Sequence, residues 1–389
     1  MTHPKQQGVA MVVAMLILSI VTVFAASIAF DYQFSIRRVS NQMLMQQAYQ
    51  YLLATESIAS KALMQDLEND KEDERSVDHK GELWAEEGMI FNLEDGAYTG
   101  QLSDLQGRFN LNSLRPPTLP EGQYPPQVPY TIAQGIFIRL LQALSDEQLS
   151  VSEQDAKAIT EAVIDWLDED SNPIGFQCGE DDAYRDIENR QAHRVANGPF
   201  YSVSELRLIC NLPVALFQRL QPYVTVWPIA GQTSININTA GLPLLRSIFV
   251  EQADVEKLST IDNKTSYQAP PPLAIEAVEK ILLKTQAEEL TEEMQQRSAY
   301  NYNESAFNPA SFDGVMSDEK SEMGYTSLAQ VSQDLDNINY WPKANLGLYS
   351  NWFLLQSKVS LDRLTQTMSS ILSRENGSIS IVARSTGGL

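Results

Sequence analysis

The chain has 389 residues, and its 50 acidic and 28 basic side chains give a formal net charge of −22 at pH 7. This length exceeds a typical domain of about 100–200 residues, so two or three folded units are expected. The acidic charge repels phosphate backbones and argues against nucleic acid as a partner, and two cysteines are too few for a disulfide-rich scaffold.

An uncharged apolar run from Val9 to Phe30 lies near the start of the chain. It is long enough to cross a membrane as a helix, which takes about 20 residues. A cleaved signal peptide is the alternative, suggested by Ala25-Ala26-Ser27, but its apolar region is usually about 7–15 residues. No Pro or Gly occurs between Asp31 and Asn69, where apolar residues recur at helical spacing. The sequence predicts one continuous helix of roughly 60 residues, with a membrane half and an amphipathic half.

The eight residues before this run, MTHPKQQG, end in Gly8 and resemble the leader of a type IV prepilin, which a prepilin peptidase cuts after the glycine. The resemblance implies a mature chain that begins at Val9. Pilin-like subunits usually carry a glutamate as the fifth mature residue, and here that position is Val13. The K pseudopilins of type II secretion machinery characteristically lack this glutamate, so the chain resembles that family.

Predicted strands lie near both ends of the segment that follows the helix. Asp95-Gly96 separates two strand-like stretches, which indicates a β-hairpin. Near the C-terminus, Asn376-Gly377 indicates a second hairpin. The predicted strands there are Leu354–Leu361, Leu364–Ser373 and Ser378–Arg384. A helix followed by a small antiparallel sheet is typical of pilins.

The region between the two groups of strands has helical character. It begins with a Pro-rich connector, RPPTLPEGQYPPQVPY. Helices are predicted at Ala133–Ala143, Glu153–Leu167, Ser202–Ile209 and Pro213–Gln221, with Ser152 as the cap of the second. The segments GRFNLNSL and SININTAGLPLL are similar around Asn110 and Asn236. Either an Asn caps a strand-to-helix turn each time, or a site is duplicated.

These patterns predict an α+β fold in which an N-terminal transmembrane helix continues into a pilin-like helix and a small antiparallel sheet, with a large mainly α-helical domain inserted between strands. The predicted units are a leader at 1–8, the membrane part of the helix at 9–30, the pilin-like helix and first strands at 31–113, the inserted domain at 114–345, with a loop or disordered part at 288–324, and the last strands at 346–389.

The densest acidic cluster, DWLDEDSNPIGFQCGEDDAYRD, lies between Asp165 and Asp186. Asp168, Asp170 and Asn172 alternate as oxygen ligands do at the start of calcium loops, although Pro173 stands where an EF-hand needs glycine. A solvated acidic face is the alternative. The resemblance to the K pseudopilins implies a calcium site in the inserted domain, and by carry-over its ligands are Asp168, Asp170, Glu180 and Asp181.

We also expect a disulfide between Cys178 and Cys210, with two buried thiols as the alternative. A glycosidase-like use of two carboxylates is conceivable, but the chain has three histidines and no motif of a nucleophile and its base. The sequence therefore predicts a structural subunit rather than an enzyme.

The family resemblance implies a subunit at the tip of the type II secretion pseudopilus. Its partners would be the minor pseudopilins I and J, the prepilin peptidase, the inner-membrane assembly platform and exported substrates. It would be a single-pass protein of a bacterial inner membrane, with a cytoplasmic N-terminus and a periplasmic head. The alternatives are a ligand-binding minor pilin of a related type IV filament and a signal-anchored periplasmic enzyme.

Overall fold

The computed structural model describes residues 7–72, 76–85, 89–116, 130–174, 184, 194–229, 233–251, 254, 270–285, 323–335, 338–340, 345–375 and 377–386. The α-helices of these ranges are α1 (Gln7–Glu72), α2 (Ile132–Ala143), α3 (Glu153–Leu167), α4 (Val214–Leu220), α5 (Leu242–Ile248), α6 (Ile275–Thr285) and α7 (Leu328–Asp334). The strands are β1 (Met89–Leu93), β2 (Gly96–Asp104), β3 (Phe109–Asn110), β4 (Val224–Thr225), β5 (Ile235–Asn236), β6 (Phe249–Glu251), β7 (Ile338–Tyr340), β8 (Leu346–Gly347), β9 (Trp352–Leu361), β10 (Leu364–Glu375) and β11 (Ser378–Ser385). The predicted Pro-rich connector is mostly outside the described residues, and the predicted loop at 288–324 is almost entirely outside them.

Helix α1 is continuous over 66 residues, which confirms the prediction of one long helix. The apolar half is exposed along its whole length and is long and apolar enough to cross a membrane. The second half buries one stripe of residues at helical spacing against the sheet, including Ala48, Leu52, Ala59 and Leu63. The change from an exposed to a half-buried helix, near Ala48, marks where the helix joins the folded head.

The main sheet has five antiparallel strands in the order β1-β2-β9-β10-β11. Both predicted hairpins are confirmed, but the first turn is shifted by one residue. Leu93 pairs with Gly96, so the two-residue loop is Glu94-Asp95 and Gly96 already belongs to β2. The second turn includes Gly377 with φ of +73°, a backbone conformation that glycine adopts without steric cost.

Helix α1 covers one face of this sheet. Its buried stripe packs against apolar side chains of β9 and β10, among them Phe353, Leu355 and Leu372. Within the same interface Glu56 accepts hydrogen bonds from Arg384 Nε at 2.7 Å and from Ser370 Oγ at 2.6 Å. Apolar packing and the partly buried ion pair between Glu56 and Arg384 therefore join the helix to the last strands at this point.

The inserted region leaves the sheet after β2 and returns to it at β9. These strands are hydrogen-bonded neighbours although Ser103 and Leu354, which face each other in the register, are 251 positions apart in sequence. The N–H of Leu105 donates to the carbonyl of Trp352 at 2.9 Å, just where the two chain segments separate. The apolar core of the insertion includes Phe109 and Leu348. These residues lie just outside the predicted bounds of 114–345, on the side of the sheet at each end.

Helices α2, α3 and α4 agree with the predicted segments, and Ser152 caps α3 with a capping box to Asp155. The prediction of a helix at Ser202–Ile209 was wrong in type, because Val203–Leu208 is a 3-10 helix. This helical segment is short, as 3-10 helices usually are. It ends before Asn211, whose positive φ of 57° stops regular structure.

One arginine ties the helices of the insertion together. Arg139 of α2 is fully buried, and its Nη2 donates to the carbonyl of Phe249 at 2.6 Å, just after the end of α5. It also donates to Arg246 at 3.2 Å and Pro271 at 3.1 Å. A cation at the C-terminal end of a helix satisfies carbonyls that the helix itself leaves without partners.

Candidate metal loop and buried carboxylate cluster

The predicted metal loop follows α3. The helix buries Trp166 and Leu167 in the core and ends at Leu167, and the N–H of the capping residue Asp168 donates to the carbonyl of Ile164 at 3.0 Å. The last turn of a helix thus fixes the start of the loop. Asp165 is buried, and its Oδ1 accepts a hydrogen bond from the N–H of Ile174 at 3.0 Å, which folds residues 168–174 back onto the helix end.

Two of the four predicted ligands lie in this folded segment. Asp168 caps the C-terminus of α3, and Asp170 follows it, with its Oδ1 accepting from the N–H of Asn172 at 2.8 Å. Glu180 and Asp181 lie outside the described residues. The structure therefore places half of the predicted set at one end of α3, and the complete set stays a prediction.

A further oxygen that the sequence analysis missed lies beside this loop. Asn197 Nδ2 donates to the carbonyl of Asp170 at 3.1 Å, whereas Asn197 Oδ1 is buried and has no hydrogen-bond donor among the described residues. The N–H of Gly198 donates to the Trp166 carbonyl at 3.3 Å and holds this turn against α3. Calcium prefers carboxylate and amide oxygens, so the donor types present fit that ion. In the sequence, the Asn197-Gly198 pair was the signal that could have pointed to this residue.

The predicted loop continues after Ile174, and between residues 175 and 193 the structure describes Tyr184 alone. Its buried ring lies edge-on to Trp166 with centroids 6.3 Å apart, and its hydroxyl accepts from the N–H of Cys210 at 3.4 Å. Cys210 is in a disulfide, and Cys178 lies outside the described residues. The pairing of these two cysteines stays a prediction.

A second acidic cluster, which the sequence analysis missed, is buried where α1, the segment after it and β10 meet. Arg374 of β10 donates to Asp66 of α1 at 2.8 Å and to both oxygens of Asp78 at 2.6 and 2.5 Å. The side chains of Arg374 and Asp78 are fully buried. Glu82 completes the cluster, since carboxylate oxygens of Asp66, Asp78 and Glu82 lie within 4.8 Å of one another.

Three carboxylates and one guanidinium leave this cluster with excess negative charge. Burial, together with the charges of Asp66 and Asp78, raises the pKa of Glu82 to about 10. Burial also raises the pKa of Asp78, against the opposing effect of Arg374. Glu82 therefore keeps its proton at neutral pH. Among the described residues this is the one group with the spacing of a metal site, but Arg374 already supplies the positive charge there.

A neighbouring network joins the sheet to the insertion through Asp104, at the end of β2. Asp104 Oδ1 accepts from the N–H of Gln106 at 2.7 Å, and Oδ2 accepts from Ser350 Oγ at 2.6 Å and Asn236 Nδ2 at 3.1 Å. Thr239 Oγ1 donates to the same Oδ2 at 2.5 Å. All these oxygens and amides are buried, so the network fixes the insertion relative to the sheet.

The turns that begin at Asn110 and Asn236 are similar in structure as well as in sequence. Asn110 Oδ1 accepts from the N–H of Asn112 at 3.0 Å, and Asn236 Oδ1 accepts from the N–H of Asn238 at 3.0 Å. Asn110 caps the 3-10 helix Leu111–Leu114, as predicted, whereas Asn236 closes a turn and the cap position of α5 is Gly241. The strand before each turn also pairs in parallel with a later two-residue strand, β3 with β4 and β5 with β8.

The second asparagine of each turn makes the same long-range contact. The side-chain amide of Asn112 accepts from the N–H of Phe200 at 2.8 Å and donates to its carbonyl at 3.1 Å. The amide of Asn238 makes the same pair of bonds to Tyr325, at 2.8 and 3.0 Å. The insertion thus contains two copies of one turn with the same long-range contact, and the short motif was the sequence signal for it.

At the membrane end, Val9 and Val13 are exposed on the apolar half of α1. Gly8 belongs to the same helix, and residues 1–6 of the predicted leader lie outside the described residues. The mature N-terminus after Gly8 stays a prediction.

Residues 107–229 match the sequence profile of a family described as "Type II secretion system (T2SS), protein K". The type II secretion system protein K of Pseudomonas aeruginosa is 34% identical over 267 residues, which cover 68% of this chain and 74% of that relative. This chain belongs to the type II secretion system protein K family. The protein K of Aeromonas hydrophila is 33% identical over 237 residues, which cover 60% of this chain and 67% of that relative.

A solved structure, the crystal structure of the GspK-GspI-GspJ complex from the enterotoxigenic Escherichia coli type 2 secretion system, contains a chain with a similar fold. The TM-score is 0.57 at 23% identity, and the match covers 90% of this chain and 100% of that chain. The predicted α+β fold class and the predicted family are confirmed. As a protein K, the chain is a minor pseudopilin, a structural component of type II secretion, with an apolar helix that fits a single-pass membrane anchor.

Proposed function

We propose that this protein K forms the tip of the pseudopilus, where it caps the filament and helps to initiate its assembly for export across the outer membrane. The observation that carries this proposal is Val13. An uncharged residue at the fifth mature position cannot attract the N-terminal amine of a subunit above it, so the chain has no need of a neighbour on that side. A charge without a partner costs several kcal/mol in a membrane. This cost also favours an uncharged residue at position 13 in a subunit that enters the filament first.

The minor pseudopilins I and J are the proposed partners, because the structural neighbour was solved in a complex named for all three proteins. The inner-membrane assembly platform and exported substrates are further proposed partners. The proposed location is the bacterial inner membrane, with the N-terminus in the cytoplasm and the head in the periplasm. Co-expression of the full chain with tagged I and J, followed by purification in detergent, tests the assignment. Recovery of I and J together without this chain would contradict it.

The first prediction concerns processing by the prepilin peptidase. Replacing Gly8 with Leu is expected to leave the precursor uncut, because the bulk next to the scissile bond would exclude the chain from a site shaped for glycine. Mass spectrometry of the N-terminus checks the result, with Gln7→Leu as a control that adds similar bulk one residue earlier and leaves cleavage intact. A chain of the Gly8 variant that begins at Val9 would contradict the proposed processing.

The proposed calcium site has Asp168, Asp170, Glu180 and Asp181 as ligands. Asn197 supports it, because its buried Oδ1 adds an oxygen of the kind that calcium binds. Several carboxylates drawn into one loop repel each other, and a divalent cation reverses the sign of that interaction. When bound, the ion would neutralise these charges and hold the loop closed. Its proposed role is structural.

Calcium is accordingly expected to raise the melting temperature of the full chain. An ion at a hundred times its dissociation constant adds about 2.7 kcal/mol to the stability of the folded state. Melting in calcium and then in chelator measures this difference. Asp168→Asn should remove most of it, whereas Glu147→Gln, which neutralises an exposed acid after α2, should leave it unchanged. Equal melting temperatures in calcium and in chelator would leave only a solvated acidic face.

A further inference from the structure

The part of α1 between its apolar run and the folded head carries a pair of arginines. Arg37 and Arg38 are the only basic residues between Gly8 and Lys61, in a chain whose formal net charge is −22. Both are exposed, and neither makes an ion pair or hydrogen bond within the described part of the chain. Two adjacent cations are therefore available to an anion.

The height of these arginines above a membrane follows from helix geometry. Asp31 is the first charged residue after the apolar run, so the hydrocarbon edge of a membrane crossed by this run lies near Phe30. Arg37 follows Phe30 by seven residues, or about 10 Å along the helix axis. The headgroup layer of one leaflet adds roughly 5–8 Å beyond the hydrocarbon. Because Cα–Cβ bonds lean towards the N-terminus of a helix, the long arginine side chains lean back towards that layer.

Two aromatic rings lie between the apolar run and the arginines. Tyr32 and Phe34 are 68% and 71% exposed, although they are outside the uncharged run. Exposed rings of this size gain free energy when they leave water, and aromatic side chains are favoured at the boundary between lipid and water. Residues 31–38 therefore suit the headgroup layer better than bulk water.

The two sides of α1 at this height suit different partners. Successive residues of an α-helix lie about 100° apart around its axis, so Ile36 and Val39 share one side and the two arginines lie on the other. Ile36 and Val39 are exposed and apolar, which suits a second helix. Ala48 follows Arg37 by eleven residues, or about three turns, so the arginine side is the one that later packs against the sheet. A long helix alongside the arginines would meet that sheet, whereas lipid headgroups would not.

The acidic groups of the chain do not cancel this local positive charge. Ala48, the first buried residue of α1, follows Arg38 by ten residues, or about 15 Å along the axis. The folded head is thus farther from the arginines than the screening length of about 8 Å at physiological ionic strength. Asp31 is the only acid between Val9 and Thr55, and it precedes Arg38 by about two turns, or about 10 Å.

We propose that Arg37 and Arg38 bind the phosphate of an anionic phospholipid on the head side of the membrane, with Tyr32 and Phe34 in the interfacial layer below them. The donors of a guanidinium match phosphate oxygens in pairs, and an anionic lipid carries a net charge that a zwitterionic lipid lacks. The contact would fix the depth of α1 and hold the acidic head clear of the membrane surface. This inference concerns the lipid contacts of the anchor and does not depend on the place of the subunit in the filament.

Native mass spectrometry of the full chain in a non-ionic detergent tests the proposal, with phosphatidylglycerol and phosphatidylcholine of the same acyl chains as probes. Phosphatidylglycerol is expected to bind at least about fivefold more tightly, because each arginine contributes about fivefold and Asp31 offsets about one of them. The double variant Arg37→Gln with Arg38→Gln should lose this preference. Arg37→Lys with Arg38→Lys should keep most of it, since the charge remains.

The matched control is Lys358→Gln with Arg363→Gln, which removes the same charge from exposed positions of the sheet and should leave the preference unchanged. Equal binding of the two lipids by the unchanged chain would overturn the proposal and leave the arginines to an acidic protein surface. A preference that survives in the Arg37→Gln, Arg38→Gln variant, or is lost equally in the control, would also overturn it. Excess inorganic phosphate should not displace phosphatidylglycerol, and displacement would show a site for a free anion instead of a lipid.

Discussion

Replacing Arg374 with Met is expected to lower the free energy of unfolding by about 3–5 kcal/mol, the cost of removing one partner of a buried ion pair. Arg374 is fully buried and bonds to both Asp66 and Asp78, so its loss leaves two carboxylates without their counter-charge. Its guanidinium also lies over the ring of Tyr349, with 4.3 Å between Cζ and the ring centroid. Met fills a similar volume, so the loss reports mainly the charge.

Urea denaturation of the detergent-solubilised chain, followed by tryptophan fluorescence, measures this change. Arg363→Met is the matched control, because Arg363 lies in an exposed turn and its replacement should change stability by no more than about 0.5 kcal/mol. Adding Asp78→Asn to the Arg374 variant should recover part of the loss, since an amide needs no counter-charge. A loss below about 1 kcal/mol for Arg374→Met would show that solvent replaces the ion pair.

Raising the pH from about 5 to about 8 is expected to destabilise the protein through Glu82. The pKa of this carboxyl is about 10 in the folded state against an ordinary value of 4.5, because it is buried beside Asp66 and Asp78. The folded state therefore binds the proton more tightly. The resulting stability is complete below the ordinary pKa and is lost as pH rises towards 10, at up to about 1.4 kcal/mol per pH unit.

Glu82→Gln separates this effect from other titrations. An amide does not ionise, and its oxygen still accepts the hydrogen bond that Trp84 Nε1 now donates to Glu82 at 2.5 Å. The slope of unfolding free energy against pH should therefore become smaller, while Asp66 and Asp78 keep a slope of the same sign. A slope identical to that of the unchanged chain would show that Glu82 is ionised in the folded state.

Local features of this fold were predictable because neighbouring residues determine them. The long helix follows from an unbroken helical pattern, α3 from its capping serine, and both hairpins from Asx-Gly pairs. The 3-10 helix at Val203–Leu208 was not predictable, because its residues suit either helix type and the choice depends on packing. The two-residue parallel strands were also beyond prediction, since they have no periodicity of their own.

The two candidate sites differ in the same way, because the sequence predicted one of them and not the other. The acidic run after α3 pointed to the metal loop, because its ligands are close in sequence. Asp66, Asp78 and Arg374 are far apart in sequence, and Arg374 is separated from Asp66 by 308 positions. Nothing local marks an arginine within a strand as the partner of an aspartate in a helix. Only the packing of α1 and the segment after it against β10 brings these residues together.

The adjacency of β2 and β9 has an evolutionary consequence. Because the chain leaves and re-enters the sheet at hydrogen-bonded neighbours, Leu105 and Trp352 could be joined by a tight turn without moving either strand. Segments whose ends lie side by side are the ones that tolerate exchange, duplication and growth. Growth or exchange of the insertion at this loop would therefore leave the helix and the five-stranded sheet unchanged.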